Sequence, residues 1–167
     1  MTASVARGLD VVTGALGRAQ LEAELYRAVS EARKSRSPLS LVYVDVDEYQ
    51  EHEDSHGVEA LHPVLSWLVD QMVDVFGGVG PLGRLDTDGF VAMLPGIEAA
   101  RAYRLAEVLR FRVGACVHEL VSGPLSMTVS VGVAGLKRHE PWGNLLEAAE
   151  VACRKAKQGG RDRTVHR

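Results

Sequence analysis

The chain has 167 residues, of which 46% are hydrophobic and 25% are charged, and its formal net charge is -3. These values are typical of one soluble globular domain with its own hydrophobic core. The weak negative charge argues against nucleic acid or an anionic membrane as a partner. No signal-peptide pattern and no apolar run of transmembrane length is present, so we expect a cytoplasmic protein. Cys116 and Cys153 lack metal-binding spacing and are expected to be reduced, buried thiols in helices.

Hydrophobic periodicity predicts a single domain over residues 10–167, after a weakly patterned N-terminal lead at 1–9. The predicted order is helix, strand, helix, hairpin, helix, strand, helix, which favours a mixed α/β or α+β sheet domain covered by helices. Pro63 is expected in the first turn of the second helix. The helices are predicted at 18–34, 59–76, 97–120 and 142–158, and the strands at 39–49, 83–85, 89–95 and 126–136.

Acidic residues follow the first strand and occupy the hairpin turn. Asp45 and Asp47 are two apart on a strand, so their carboxylates point to one face, where they can bind Mg²⁺ or be solvated. Asp86 and Asp88 repeat this spacing in the turn. If the two strands are neighbours, the acids converge on one cleft suited to phosphoryl transfer. The alternative is ordinary turn chemistry, which Asp-Thr-Asp-Gly also satisfies.

Cations surround the end of the last predicted helix. Lys157, Arg161 and Arg163 lie in "AKQGGRDR" and could neutralise a polyphosphate. Alternatively, they complement the helix dipole.

Two other patterns favour no site. Gly78, Gly80 and Gly83 fit G-x-G-x-x-G, but they follow a helix and precede a strand, which is typical of a connector. A second pattern could suggest a metal cluster, but nothing fixes three of its residues on one face, and a solvated polar loop is the favoured interpretation. The pattern comprises His52, His56 and His62 with Glu51, Glu53 and Asp54.

Four segments together resemble the GGDEF domain of bacterial diguanylate cyclases over residues 10–165. The segments are "DVVTGALGR" (10–18), "DVDEYQ" (45–50), "TVSVGVA" (128–134) and "AKQGGRDR" (156–163). Given this resemblance, "DTDGF" (86–90) stands in place of the signature loop of the family. The resemblance implies a palm-like fold related to nucleotidyl cyclases, with a central mixed, mostly antiparallel sheet flanked by helices. It also implies an ancestral reaction, in which two GTP molecules on two facing subunits condense to cyclic di-GMP with Mg²⁺.

The resemblance also implies roles for single residues. Asp45 and Asp88 match the metal ligands, and Lys157 and Arg161 match the triphosphate contacts. The two positions that read guanine in the family are Glu53 and His62, of which Glu53 can still accept a hydrogen bond and His62 is a poorer match.

The signature loop departs from the family pattern and is interpreted as eroded, with no intact catalytic residues. Two glycines are replaced by Asp86 and Thr87, and the acid that activates the attacking hydroxyl is replaced by Gly89. A phosphate-facing lysine is replaced by Gln50. The loop comprises Asp86, Thr87, Asp88, Gly89 and Phe90.

The inhibitory R-x-x-D motif of the family falls on Gly77 and Gly80, so no cyclic di-GMP is expected to bind through it.

Three functions follow from these departures. The favoured one is a degenerate, non-catalytic module that binds a partner protein in bacterial signalling. The alternatives are a Mg²⁺-dependent GTP or ATP sensor without turnover, and an active cyclase. Whether the protein is a monomer or a homodimer stays open.

Overall fold

A five-stranded sheet forms the centre of the computed structural model, which describes residues 8–167. Most of the predicted N-terminal lead, residues 1–7, lies outside the described residues. The helices are α1 (Arg18–Ser35), α2 (Tyr49–His56), α3 (Val58–Phe76), α4 (Ala99–Gly114) and α5 (Trp142–Gln158). The strands are β1 (Leu39–Val46), β2 (Leu82–Arg84), β3 (Gly89–Pro95), β4 (Val117–Leu120), β5 (Gly123–Ser126), β6 (Val129–Gly135) and β7 (Thr164–His166).

The strand order in the main sheet is β2-β3-β1-β6-β7, and β4 and β5 form a separate hairpin. All pairs in the main sheet are antiparallel except β6 with β7, which is parallel. The predicted α+β class and mostly antiparallel sheet are therefore confirmed.

The central strand β1 is buried on both faces, which explains its near-continuous apolar sequence. Val42 and Val44 pack in the core that includes α3 and α4. Leu41 and Tyr43 pack in the core that includes α1 and α5. Because side chains alternate along a strand, Asp45 lies on the same face as Tyr43.

The prediction of a loop after β1 is wrong, since residues Tyr49–His56 form α2. Of its side chains only Tyr49 is buried, so the segment lacks the apolar periodicity that reveals amphipathic helices. A hydrogen bond from Gln50 to Asp54 (3.0 Å), four residues apart, supports the helix on its exposed side. His52 and His56 therefore lie on α2, and His62 lies on α3. Within residues 8–167, no group of three or more metal-ligating side chains is present.

The predicted helix at 97–120 ends at Gly114, and the hairpin β4–β5 follows it. The predicted helix extends past Gly114 because the apolar pattern continues there, and periodicity alone does not separate a helix end from a short strand. Cys116 is consequently outside the helix and only half-buried, whereas Cys153 is buried in α5 as predicted; both are free thiols.

Two smaller differences concern Pro63 and the chain's last strand. Helix α3 begins at Val58, so Pro63 lies in its second turn rather than its first. The three residues of β7 are too few to show a strand pattern. Among the described helices, none is long and apolar enough to cross a membrane.

Candidate functional site

The predicted site residues Asp45 and Asp88 meet at one edge of the central sheet. Asp45 is paired in register with Gly89 across the β1–β3 ladder. The backbone N–H of Val46 donates to the carbonyl oxygen of Asp88 at 3.1 Å. The end of β1 and the start of β3 therefore carry two acidic side chains close together, with Asp45 largely buried and Asp88 half-buried.

Lys157, near the end of α5, forms an ion pair with Oδ1 of Asp45. This oxygen is buried and accepts no hydrogen bond of good geometry, although the lysine ammonium lies beside it. Burial raises the pKa of Asp45 to about 6; Lys157 opposes this rise and Asp88 adds to it. Burial lowers the pKa of Lys157, but the acids Asp45 and Asp88 raise it overall. The three residues thus form a charged cluster of two acids and one cation.

Asp47 has a structural role and is not the second metal-site acid that its spacing suggested. Its carboxylate is buried and accepts hydrogen bonds from the hydroxyls of Thr128 and Ser130, both at 2.7 Å. It also accepts one from the backbone N–H of Asp162 at 3.1 Å. These donors satisfy the carboxylate, so Asp47 fixes the end of β1 to β6 and to the turn that carries Arg161.

Arg84 shapes the signature loop and was missed by sequence reasoning. Its guanidinium donates to the backbone oxygens of Asp86 (3.2 Å) and Thr87. It also binds both carboxylate oxygens of Asp10 at 3.1 and 3.2 Å. Asp10 is held in turn by the backbone N–H and hydroxyl of Thr13 at 2.8 and 2.7 Å. The motif at residues 10–18 therefore supports the loop through Asp10. In the sequence, the position of Arg84 two residues before the loop is the signal that could have identified its role.

Asp86 stands at the mouth of a cleft of about 350 Å³. Its carboxylate lies 3.5 Å from the guanidinium of Arg18 and accepts a hydrogen bond from Tyr43 at 3.2 Å. Burial raises the pKa of the Cys153 thiol in this cleft to about 12, so the thiol stays protonated. The cleft is lined by Arg18, Tyr43, Asp45, Asp86, Glu150, Cys153, Arg154 and Lys157.

Comparison with known families identifies the chain. Residues 8–163 match the family described as diguanylate cyclase, GGDEF domain. The chain belongs to the GGDEF family. The family assignment made from the four sequence segments is therefore confirmed.

Curated relatives of this GGDEF domain include two diguanylate cyclases. DgcP of Pseudomonas aeruginosa is 29% identical over 154 residues, which are 92% of this chain and 23% of DgcP. DosC of Escherichia coli K12 is 27% identical over 157 residues, which are 93% of this chain and 34% of DosC. The chain thus spans about a quarter to a third of the length of these relatives.

Solved GGDEF domains share the fold. The GGDEF domain of FimX from Pseudomonas aeruginosa is 25% identical with a TM-score of 0.89, covering 96% of this chain and 99% of that domain. The GGDEF domain of DgcB from Caulobacter crescentus, solved in complex with c-di-GMP, has a TM-score of 0.93 at 23% identity, covering 99% and 96% of the two chains.

The remaining predicted nucleotide contacts of this GGDEF domain are not bonded to the charged cluster among the described residues. Glu53 is on α2 beside Tyr49, whose buried hydroxyl has no hydrogen-bond partner among the described residues. His62 is half-buried on α3. Arg161 is exposed, in a left-handed backbone conformation with φ of 61°. Across residues 8–167, no hydrogen bond or ion pair joins the side chains of Glu53, His62 or Arg161 to the cluster.

The raised pKa of Asp45 predicts a pH-dependent stability. The folded value of about 6 lies above the value of about 3.9 for an unfolded aspartate, so the folded state binds the proton more tightly. The stabilisation is fully present below about pH 4 and is lost as the pH rises through about 6. Between pH 4 and 7, the unfolding free energy of the wild type is expected to fall by up to about 3 kcal/mol relative to Asp45→Asn.

Urea unfolding at half-unit pH steps checks this expectation. Asp45→Ala also lacks the carboxyl group and serves as the control, since its pH profile should run parallel to that of Asp45→Asn. Parallel profiles for the wild type and both variants would contradict the assignment.

Proposed function

We propose that this GGDEF domain is a degenerate, non-catalytic regulatory module of the bacterial cytoplasm that acts by binding another protein. The observation that carries the proposal is Gly89, which occupies the fourth position of the signature loop directly opposite Asp45. Glycine has no group to accept or orient a proton. A positioned general base contributes roughly 10²–10⁴-fold to a reaction rate, so its absence argues against turnover.

Asp86 gives independent support at the first position of the loop. Its carboxylate is directed to the cleft by Arg18 and Tyr43. A fixed negative charge there repels a triphosphate. Asp86 also partly neutralises the charge of Arg18, which could otherwise bind phosphate.

The packing around Gly80 supports the expectation that the inhibitory R-x-x-D site is lost. A Cβ at this position would collide with the backbone oxygen of Met93 in β3. An aspartate therefore does not fit at this position with the present backbone, and regulation by cyclic di-GMP through this motif is not expected.

A basic groove supports a protein partner. The groove, of about 590 Å³, lies between the end of α1 and the loop after β6. Within residues 8–167, none of its lysine or arginine side chains lies within 4.0 Å of a carboxylate oxygen. In a chain of net charge -3, this local positive charge fits an acidic segment of another protein. The charged and titratable residues of the groove are Arg33, Arg36, Lys137, Arg138 and His139.

A relative gives precedent for a protein partner. The diguanylate cyclase SiaD of Pseudomonas aeruginosa, 25% identical with a TM-score of 0.89, was solved in complex with its activator SiaC. The comparison covers 95% of this chain and 61% of the SiaD chain.

Mass spectrometry of purified protein incubated with GTP and Mg²⁺ tests the loss of turnover. No cyclic di-GMP is expected at high protein concentration. Product that disappears in Asp45→Ala would overturn the proposal in favour of an active cyclase.

Protein binding is tested by affinity capture with variants of the groove. Arg36→Glu combined with Arg138→Glu should lose a partner that the wild type captures. Arg104→Glu, an exposed arginine on α4 outside the groove, is the matched control and should retain that partner. Equal capture by all three proteins would contradict the assignment of the groove.

A second candidate function is a Mg²⁺-dependent GTP or ATP sensor without turnover, and the charged cluster favours it. Asp45 and Asp88 are oxygen ligands of the kind that Mg²⁺ prefers, and the buried Oδ1 of Asp45 accepts no hydrogen bond of good geometry, although Lys157 lies beside it. With Lys157 turned away from Asp45, the residues fit the metal: Asp45 and Asp88 would hold it and Lys157 would face the phosphates. A bound Mg²⁺ would supply positive charge against the phosphate oxygens.

Calorimetric titration with GTP and ATP in Mg²⁺ tests the sensor function. Binding that Asp45→Ala and Asp88→Ala abolish would support it. Asp70→Ala, an exposed acid on α3, is the control and should bind as the wild type does. A flat titration with both nucleotides would contradict it.

A further inference from the structure

Tyr43 occupies the space that a side chain at the fourth loop position would need. Tyr43 lies in β1, two residues before Asp45 and on the same face, and only 6% of it is exposed. A Cβ placed on Gly89 would lie 2.6 Å from the Tyr43 hydroxyl oxygen, 3.2 Å from Cζ and 3.5 Å from Cε1. The first of these distances is shorter than van der Waals contact allows. Gly89 is therefore the residue that fits beside this tyrosine.

The tyrosine is fixed in this position by the loop itself. Its hydroxyl donates to Asp86 at 3.2 Å, and Asp86 lies 3.5 Å from Arg18. Burial, together with the charges of Asp86 and Asp45, raises the pKa of Tyr43 well above its ordinary value. The hydroxyl consequently stays protonated and donates to the carboxylate. We call this chain of three side chains, Arg18, Asp86 and Tyr43, the clasp.

The clasp stands beside the charged cluster. Tyr43 and Asp86 line the same cleft as Asp45 and Lys157. A ligand that brings phosphate groups to Lys157 would approach the carboxylate of Asp86 and the ring of Tyr43. The clasp thus adds bulk to the side of the cleft from which such a ligand would approach, and within it Asp86 offsets the positive charge of Arg18 that could otherwise bind phosphate.

We propose that Tyr43 is a specificity-determining residue of this site. Its ring takes the place of the acidic side chain at the fourth loop position, and with Asp86 and Arg18 it closes the cleft to a nucleoside triphosphate. The inference rests on the proposed function, because it explains how the fold accommodates the loss of the acid. Restoring a side chain at position 89 then requires a smaller residue at position 43.

A double-mutant cycle tests the coupling of the two positions through stability alone. Gly89→Ala should lower the Tm of the wild type by roughly 3–8 °C, because the new Cβ overlaps the tyrosine. In a Tyr43→Leu background, which keeps the core apolar but removes the hydroxyl and Cζ, the same substitution should leave the Tm unchanged. Gly143→Ala, at a glycine of α5 with no atom near its Cβ position, is the control and should act equally in both backgrounds.

An equal loss from Gly89→Ala in both backgrounds would overturn the coupling. This cycle needs no activity, so it is independent of the assay for cyclic di-GMP. If the wild type forms product, the proposed function fails, while the coupling between Tyr43 and Gly89 is still decided by the Tm values.

Calorimetric titration with GTP in Mg²⁺ tests the closure of the cleft. Tyr43→Leu should bind at least ten-fold more tightly than the wild type. Tyr26→Leu, an exposed tyrosine of α1, is the matched control and should bind as the wild type does. Equal affinity of Tyr43→Leu and the wild type, or equally flat titrations, would overturn the role of Tyr43 in closing the site.

Discussion

Gly132→Ala is expected to lower the free energy of unfolding by about 3 kcal/mol. Gly132 lies in β6, and a Cβ there would collide with the backbone oxygen of Ala149 and the backbone nitrogen of Cys153. Both atoms belong to the main chain of α5, so no side-chain rotation relieves the overlap. The helix as a whole must move away from the sheet.

Urea unfolding followed by circular dichroism measures this effect. Gly143→Ala is the matched control, since Gly143 belongs to α5 and has no atom within 4 Å of its Cβ position. Alanine has the higher helix propensity, so this variant should be as stable as the wild type or up to about 1 kcal/mol more stable. Wild-type stability of Gly132→Ala would show that α5 does not rest on β6 as described.

The same substitution should also affect the candidate site. Lys157 lies at the end of α5 and is held against Asp45 by the packing of that helix on β6. A displaced helix separates the two charges. Any Mg²⁺–nucleotide binding by the wild type should therefore be weaker in Gly132→Ala, even where the variant is folded.

Arg84→Ala is expected to have the second large effect, a loss of about 3 kcal/mol in unfolding free energy. The side chains of Arg84 and Asp10 are only 12% and 20% exposed. Removing the arginine takes the cationic partner away from the carboxylate of Asp10. It also removes the donor to the carbonyl oxygens of Asp86 and Thr87 in the loop. Arg84→Lys should recover only part of the loss, because lysine lacks the planar fork that spans these acceptors.

Urea unfolding and hydrogen exchange of the loop amides measure these consequences. Exchange at residues 86–89 should accelerate in Arg84→Ala. The control is Arg112→Ala, whose partner Asp74 is 66% exposed; an exposed pair of this kind contributes less than about 1 kcal/mol. If both arginine variants lose equal stability, Arg84 does not hold the signature loop in place.

Much of the fold could be predicted from the sequence because its long elements carry clear periodic patterns. The predicted helix at 142–158 coincides with α5, and the predicted helix at 18–34 is one residue shorter than α1. The hairpin of β2 and β3 was recognised from its acidic turn between apolar arms. In these elements, local pattern and tertiary burial agree.

The missed elements are those in which local pattern and tertiary structure do not agree. Helix α2 is polar on nearly all sides, so it has no stripe to detect. The β4–β5 hairpin continues the apolar pattern of α4, and β7 has only three residues. Such segments take their structure from neighbours that are distant in sequence.

The site shows the same division. Asp45 and Asp88 could be predicted to converge if the two strands are neighbours, because Asp45 lies near the end of β1 and Asp88 directly precedes β3. The clasp of Tyr43 and the satisfied carboxylate of Asp47 could not, because both depend on register and on side-chain packing between strands. Tyr43 reads in the sequence as an ordinary apolar residue of a buried strand.

The sheet places β1 between β3 and β6, so the charged cluster draws on elements that are far apart in the chain. Both acids of the cluster, Asp45 and Asp88, leave the ribosome before Lys157 does. Domains of this kind fold as units, and β6 and α5 follow both acids in the chain. The nascent chain therefore carries an uncompensated pair of carboxylates until α5 has been synthesised. Any capacity to bind a metal or nucleotide arises only when the last helix docks.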